Sequence, residues 1–254
     1  MLRHRAIPCL LLSEGGLVKT VQFKAGKYVG DPINALKIFN EKEVDEILFL
    51  DIDASRQGRP PDFDLIEEIA SECFMPICYG GGVHDFDGAA RIIRLGVEKI
   101  ALNSVLFRKP QLLTELSRHF GAQSVVAVVN VKKNFWGRAK VFNSATGKLT
   151  DKDPVVYARE MEALGAGEIM LSDVDRDGTM KGFAVDLIQS IVAAVNVPVV
   201  ACGGAGQLDD LRAATRVGGA AAVAVGSLFV FQGRHRAVLI NYPDYAALQA
   251  LFKE

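Results

Sequence analysis

The sequence predicts an α/β fold, an eight-stranded parallel barrel wrapped by helices, on three observations. Apolar strand-like runs alternate with amphipathic stretches eight times along the 254 residues. Most of those runs are apolar at successive positions, as expected of parallel strands buried on both faces. The second half also repeats the first. Met75-Pro76-Ile77-Cys78-Tyr79-Gly80-Gly81-Gly82 returns as Val197-Pro198-Val199-Val200-Ala201-Cys202-Gly203-Gly204, and Asp51-Ile52-Asp53 returns as Asp173-Val174-Asp175 at the same offset. A repeat of this length marks a duplicated half-domain rather than a short solenoid unit. Each half is too small to close a barrel, so the expectation is one (β/α)8 (TIM) barrel domain over 1–254, with half-repeats of about 1–122 and 123–254.

The strands are read in order at 6–12, 46–51, 77–79, 99–102, 125–131, 168–172, 199–201 and 221–224. Asp31-Pro32 and Asp153-Pro154 each open a helix, with a capping carboxylate before proline at the first helical position. Further helices are expected at 63–71, 87–95, 110–120, 186–195 and 208–216. Two stretches, 13–30 and 132–151, read as long loops after strands one and five. Long loops on that face of a barrel act as lids or substrate loops, and a surface hairpin at 140–142 is the alternative.

Composition narrows the function classes. A net charge of −1 offers no basic face for nucleic acid or an anionic membrane. No apolar run reaches the ~20 residues of a membrane span. The start, Met1-Leu2-Arg3-His4-Arg5, lacks a signal-peptide apolar stretch, and a cytoplasmic location is expected. Cys9, Cys73, Cys78 and Cys202 show no C-x-x-C spacing and read as buried free thiols. No metal site and no cofactor are expected.

The repeated glycine clusters suggest phosphate binding. Gly81 and Gly82 follow strand three, and Gly203 and Gly204 follow strand seven. Asn103-Ser104 and Gly226-Ser227 follow the next strand in each half. Glycine lets backbone amides approach a phosphate closely, and the small polar residue adds a side-chain donor. Gly178 and Thr179, within Asp175-Arg176-Asp177-Gly178-Thr179, are placed at the second site, with a calcium loop as the rival reading. Two such sites imply a ligand with a phosphate at each end.

These residues carry a family resemblance. Ile7-Pro8-Cys9-Leu10, Lys19, Val21-Gln22-Phe23, Gly30-Asp31-Pro32, Asp51-Ile52-Asp53-Ala54-Ser55, Asn103-Ser104, Asp175–Thr179 and Cys202-Gly203-Gly204-Ala205-Gly206 resemble the HisF family, the cyclase subunit of imidazole glycerol phosphate synthase in histidine biosynthesis. The resemblance extends from Met1 to about Phe231. It implies a HisH-like glutaminase partner, whose ammonia enters the barrel floor and meets a bis-phosphorylated ribulosyl substrate at the mouth. It also implies a catalytic aspartate at the end of strand one and another at the end of strand five. This chain has Leu11 and Asn130 there. Leucine transfers no proton and the asparagine amide is no acid or base near neutrality, a loss that typically costs ~10²–10⁴ in rate. Lys19, Asp51 and Asp177 remain, at other positions. Asp53 as a substitute base is outweighed by a role in anchoring a loop or capping a helix.

The resemblance also assigns an ammonia gate to Arg5, Glu46, Lys99 and Glu168, at the starts of strands one, two, four and six. Pointing toward the barrel axis, they can close a ring of salt bridges; the competing reading is plain stabilisation of the bottom face. The leading expectation is a divergent paralogue that binds a glutaminase and channels ammonia without cyclase chemistry. Ile7–Leu12, Cys78–Gly82 and Gly226–Phe231 resemble segments of divergent paralogues of the family, and that resemblance implies a third protein as recipient, an amidotransferase that modifies a surface sugar in lipopolysaccharide biosynthesis. The alternatives are a working cyclase and a non-catalytic phosphate-ligand scaffold.

Overall fold

A computed structural model describes residues 4–24 and 26–253. The residues Met1–Arg3 of the N-terminal reading, Ala25 of the first loop and the last residue lie outside this description. Eight parallel strands close on themselves: β1 (Arg5–Ser13), β2 (Ile47–Asp51), β3 (Ile77–Gly80), β4 (Lys99–Leu102), β5 (Val125–Lys133), β6 (Glu168–Asp173), β7 (Val199–Cys202) and β8 (Ala222–Val225). Each pairs with the next, and β8 returns to β1 with Arg5 opposite Ala222. The expected (β/α)8 barrel is the observed one.

Two apolar layers follow from the period-two alternation of strand side chains. Outward residues such as Leu10, Phe49, Tyr79 and Val129 pack under the helices in the larger core. Inward residues Ile7, Leu48, Cys78, Val126, Val128, Met170 and Val200 form a separate cluster inside the barrel.

Most helix ends fall within two residues of the expectation, because their signals are local. Asp31 accepts a hydrogen bond from Asn34 N (2.8 Å) and caps Pro32–Glu41. Asp153 accepts from Val155 N (2.9 Å) and Val156 N (3.2 Å) and caps Pro154–Ala163. Two helices differ. That expected at 186–195 is Val185–Val192. That expected at 208–216 is α-helical only over Leu208–Arg212, then widens to a π turn over Ala213–Val217. There Gly218 N donates to Ala213 O (2.8 Å), a spacing of five residues.

The first long loop is corrected, and in the second the hairpin alternative at 140–142 is the one observed. The stretch 13–30 contains antiparallel strands Gly16–Lys19 and Lys27–Gly30, built on the extended end of β1. The stretch 132–151 contains Ala139–Asn143, hairpinned against β5, and Lys148–Leu149. Phe23 of the first meets Phe142 of the second, ring centroids 6.4 Å apart, so the two excursions touch above the mouth.

Candidate functional site

The floor of the barrel is a closed ring of charge. Arg5 bonds to both Glu46 and Glu168. Lys99 Nζ bonds to Glu46 Oε1 (2.9 Å) and Glu168 Oε2 (3.1 Å). The glutamate side chains are only 5% and 8% exposed, whereas Arg5 and Lys99 keep 26% and 19%. The anions therefore lie inside and the cations open to the floor. Burial pulls the Arg5 and Lys99 pKa values down, but the two glutamates outweigh it and both end above their ordinary values. Gln123, ahead of β5, donates to Phe120 O (3.1 Å) on the same lower face.

Above this ring the lumen is apolar, and above the lumen opens a mouth cavity of about 450 Å³. Leu11, Leu50, Val128, Met170 and Cys202 form its apolar wall. Asn130, 5% exposed, projects there from β5, and Leu11 lies across from it. No carboxylate stands at either position.

The predicted first phosphate residues line one side of this cavity: Gly81, Gly82, Asn103 and Ser104. Asn103 Nδ2 is already committed to Val128 O (2.7 Å), and its Oδ1 accepts from Ser144 Oγ (3.1 Å). The second set lies in an adjoining, tighter cavity lined by Lys19, Asp177, Gly178, Gly203, Gly204, Gly226 and Ser227. Cys9, Leu11, Thr20, Asp177 and Cys202 line both cavities, so the two sites adjoin. Thr179 lines neither; its hydroxyl donates to Arg176 O (2.7 Å) and closes its own turn.

The half-repeat correspondence extends to bonding. Asp51 Oδ1 accepts from Asp53 N (3.1 Å) and Ala54 N (2.9 Å); Asp173 Oδ1 accepts from Asp175 N (3.0 Å) and Arg176 N (3.3 Å). A Cβ on Gly81 would lie 2.3 Å from Asp51 O, and one on Gly203 2.7 Å from Asp173 O. Only glycine fits behind these carbonyls, and both positions have φ in the left-handed region, +119° and +93°.

Asp51 also pairs with Arg59 (2.8 Å), so its carboxylate is occupied in holding the loop after β2. Asp53 accepts from Ser13 Oγ (2.6 Å) and precedes the short helix Ala54–Gln57 without a side-chain cap bond. Lys19 Nζ donates to Cys9 O and abuts Gly226. Burial lowers the Lys19 pKa, opposed by Cys9 and Asp177. Burial raises the Asp177 pKa, opposed by the hydrogen bond from Thr20 Oγ1 (2.9 Å) and by Lys19.

No sequence motif gives Thr20 or Gln22 a role of its own. They tie the first excursion to the β6 loop, through Asp177 and through Gln22 Nε2 to Asp175 O (2.9 Å). Gln22 and Phe23 both have positive φ, which no local sequence signal announces. All four cysteines are free, yet only Cys9 and Cys78 are buried; Cys73 and Cys202 are half-buried, the latter at the mouth.

Comparison with known proteins supplies the family. Residues 5–236 match the family described as histidine biosynthesis protein. A Pseudomonas aeruginosa protein provisionally named imidazole glycerol phosphate synthase subunit hisF2 is 52% identical over 244 residues, covering 96% of this chain and 97% of that one. The provisionally named subunit hisF3 of Vibrio vulnificus is 50% identical over 96% of this chain and 94% of its own. A provisionally named HisF subunit from Leptospira borgpetersenii is 47% identical over 99% of this chain and all of its own. The chain belongs to the histidine biosynthesis protein family and is a HisF-like homologue of the cyclase subunit of imidazole glycerol phosphate synthase.

Proposed function

We propose that this protein is an ammonia-delivering subunit: it docks a glutaminase of the HisH type at its floor and conducts ammonia through its lumen. The observation that carries the reading is the vertical arrangement of the barrel. A four-charge ring at the floor leads to an apolar lumen and then to a mouth with Leu11 and Asn130 where two carboxylates would do proton transfer. The apolar wall favours neutral ammonia over ammonium, whose charge the lumen residues cannot solvate. Opening the ring requires that at least one cation swing away, which a partner protein binding the floor can drive.

At the mouth, the two glycine-rich sites hold a phosphorylated ligand in our reading, with Lys19 as the cation beside the second. Ring closure needs a group that gives and takes protons within hydrogen-bond reach, and neither Leu11 nor Asn130 does so. The ammonia therefore passes to another acceptor. By family resemblance we assign this to an amidotransferase that converts an acetamido group of a bacterial surface sugar to an acetamidino group.

A second reading has one observation in its favour. Asp177, with its raised pKa, lines both cavities and could serve a rearranged cyclase. One experiment separates the two. Glutamine hydrolysis by the cognate glutaminase is measured with and without this protein, beside cyclase turnover with ammonium salt. Stimulated hydrolysis without cyclase product is expected. Cyclase product from the unaltered protein above a protein-free control would sink the leading reading, and absence of both activities would leave a ligand-binding scaffold.

A further inference from the structure

Outside the second phosphate cavity lies a larger cleft of about 380 Å³. The two share Lys19, Thr20 and Ser227, so they adjoin. Lys27, Arg234, His235 and Arg236 line the outer part, and no carboxylate does. Lys27 comes from the first excursion above the mouth. The other three occupy the tip of a hairpin whose strands are Phe231–Gln232 and Ala237–Val238. The turn is fixed by Arg236 N donating to Gly233 O (3.1 Å), with Arg236 at a left-handed φ of +49°.

This collection of like charges is unfavourable by itself. Among the described residues no carboxylate lies within ion-pair distance of Lys27, Arg234 or Arg236. Three cations converging on an open cleft repel one another unless an anion joins them, and such a cleft concentrates anions. Its inner end is the second phosphate site of the proposed function.

We propose that the cleft takes a second phosphate bonded directly to the first, so that this end of the ligand is a diphosphate rather than a monophosphate. The inner phosphate rests at Gly203, Gly204 and Ser227 beside Lys19. The outer phosphate meets Lys27, Arg234 and Arg236, where guanidinium groups can donate paired, charge-assisted hydrogen bonds. The inference rests on the second-half phosphate site of the proposed function.

The test is calorimetric titration of the full chain with inorganic phosphate, pyrophosphate and adenosine diphosphate at one fixed ionic strength. The same titrations follow on Arg234→Ala, Arg236→Ala, whose altered side chains are exposed at a hairpin tip. Pyrophosphate or adenosine diphosphate is expected to bind about tenfold tighter than phosphate, with the gain falling to about twofold or less in the variant. Phosphate affinity should be unchanged, which also reports that the variant is folded. The tighter of the two diphosphates tells a free from an esterified group. A diphosphate gain that survives both substitutions, or no gain in the unaltered protein, overturns the cleft while leaving the phosphate site standing. Failure of all three anions to bind overturns the phosphate site itself.

Discussion

Lys19 shows how one buried side chain couples stability to function. Its amine sits 6% exposed between Cys9 O and the second phosphate cavity. Burial lowers its pKa, so over the window from the folded value up to the ordinary 10.5 the unfolded chain binds more protons than the folded one. Stability from this group therefore rises with pH through that window. The Lys19→Met variant should gain stability relative to the unaltered protein at about pH 7, and the gain should shrink toward about pH 10. Urea unfolding at the two pH values checks this; a gain that is constant with pH would exclude the linkage. The same substitution should weaken phosphate binding, since a neutral side chain replaces the cation beside the site. Leu11 and Asn130 were legible from sequence because they interrupt a motif at single positions. The occupation of Asp51 by Arg59 and by two backbone amides was not, because it depends on how the loop after β2 folds back.

Elements were readable where their signals are local. Asp-Pro before an amphipathic run marks Pro32–Glu41 and Pro154–Ala163, and both carboxylates cap as read. Asp31→Ala and Asp153→Ala should each cost about 0.5–2 kcal/mol, because each leaves helix amides without their acceptor. The larger loss is expected at Asp153, which caps two amides where Asp31 caps one, measurable by urea unfolding of the two single variants. A neutral effect at either would show that solvent replaces that cap. The strands Gly16–Lys19 and Lys27–Gly30 escaped the sequence reading for a different reason. They are short, and they pair only because β1 extends to Ser13 and offers an edge above the barrel. The π turn at Ala213–Val217 was equally hidden. Its five-residue hydrogen bond from Gly218 to Ala213 sets its width, and the amphipathic period does not record it.

At the scale of the whole molecule, strands far apart in the chain bring four charges together, with Arg5 and Glu168 the most distant pair. Sequence alone placed each at a strand start, but only barrel closure brings all four into one ring. Such a ring is weak evidence of net stabilisation, since the desolvation of two glutamates offsets much of the attraction. Breaking it is another matter. Lys99→Met leaves Glu46 and Glu168, nearly buried, with Arg5 as their only ring partner. The expected loss near neutral pH is about 2–4 kcal/mol, below that of a fully buried pair because Lys99 is partly exposed. The pH dependence has the opposite sign to that of Lys19. The folded Lys99 pKa is raised, so its contribution is fully present below the unfolded value of 10.5 and disappears as pH climbs through the folded value. The stability gap between the unaltered protein and Lys99→Met should therefore stay level from about pH 7 to about pH 9 and close only in stronger alkali. Urea unfolding across that range reads the gap directly. A gap already closing below about pH 9 would mean that Lys99 does not hold its proton in the ring, and the floor would not be the stable charged gate on which ammonia delivery depends.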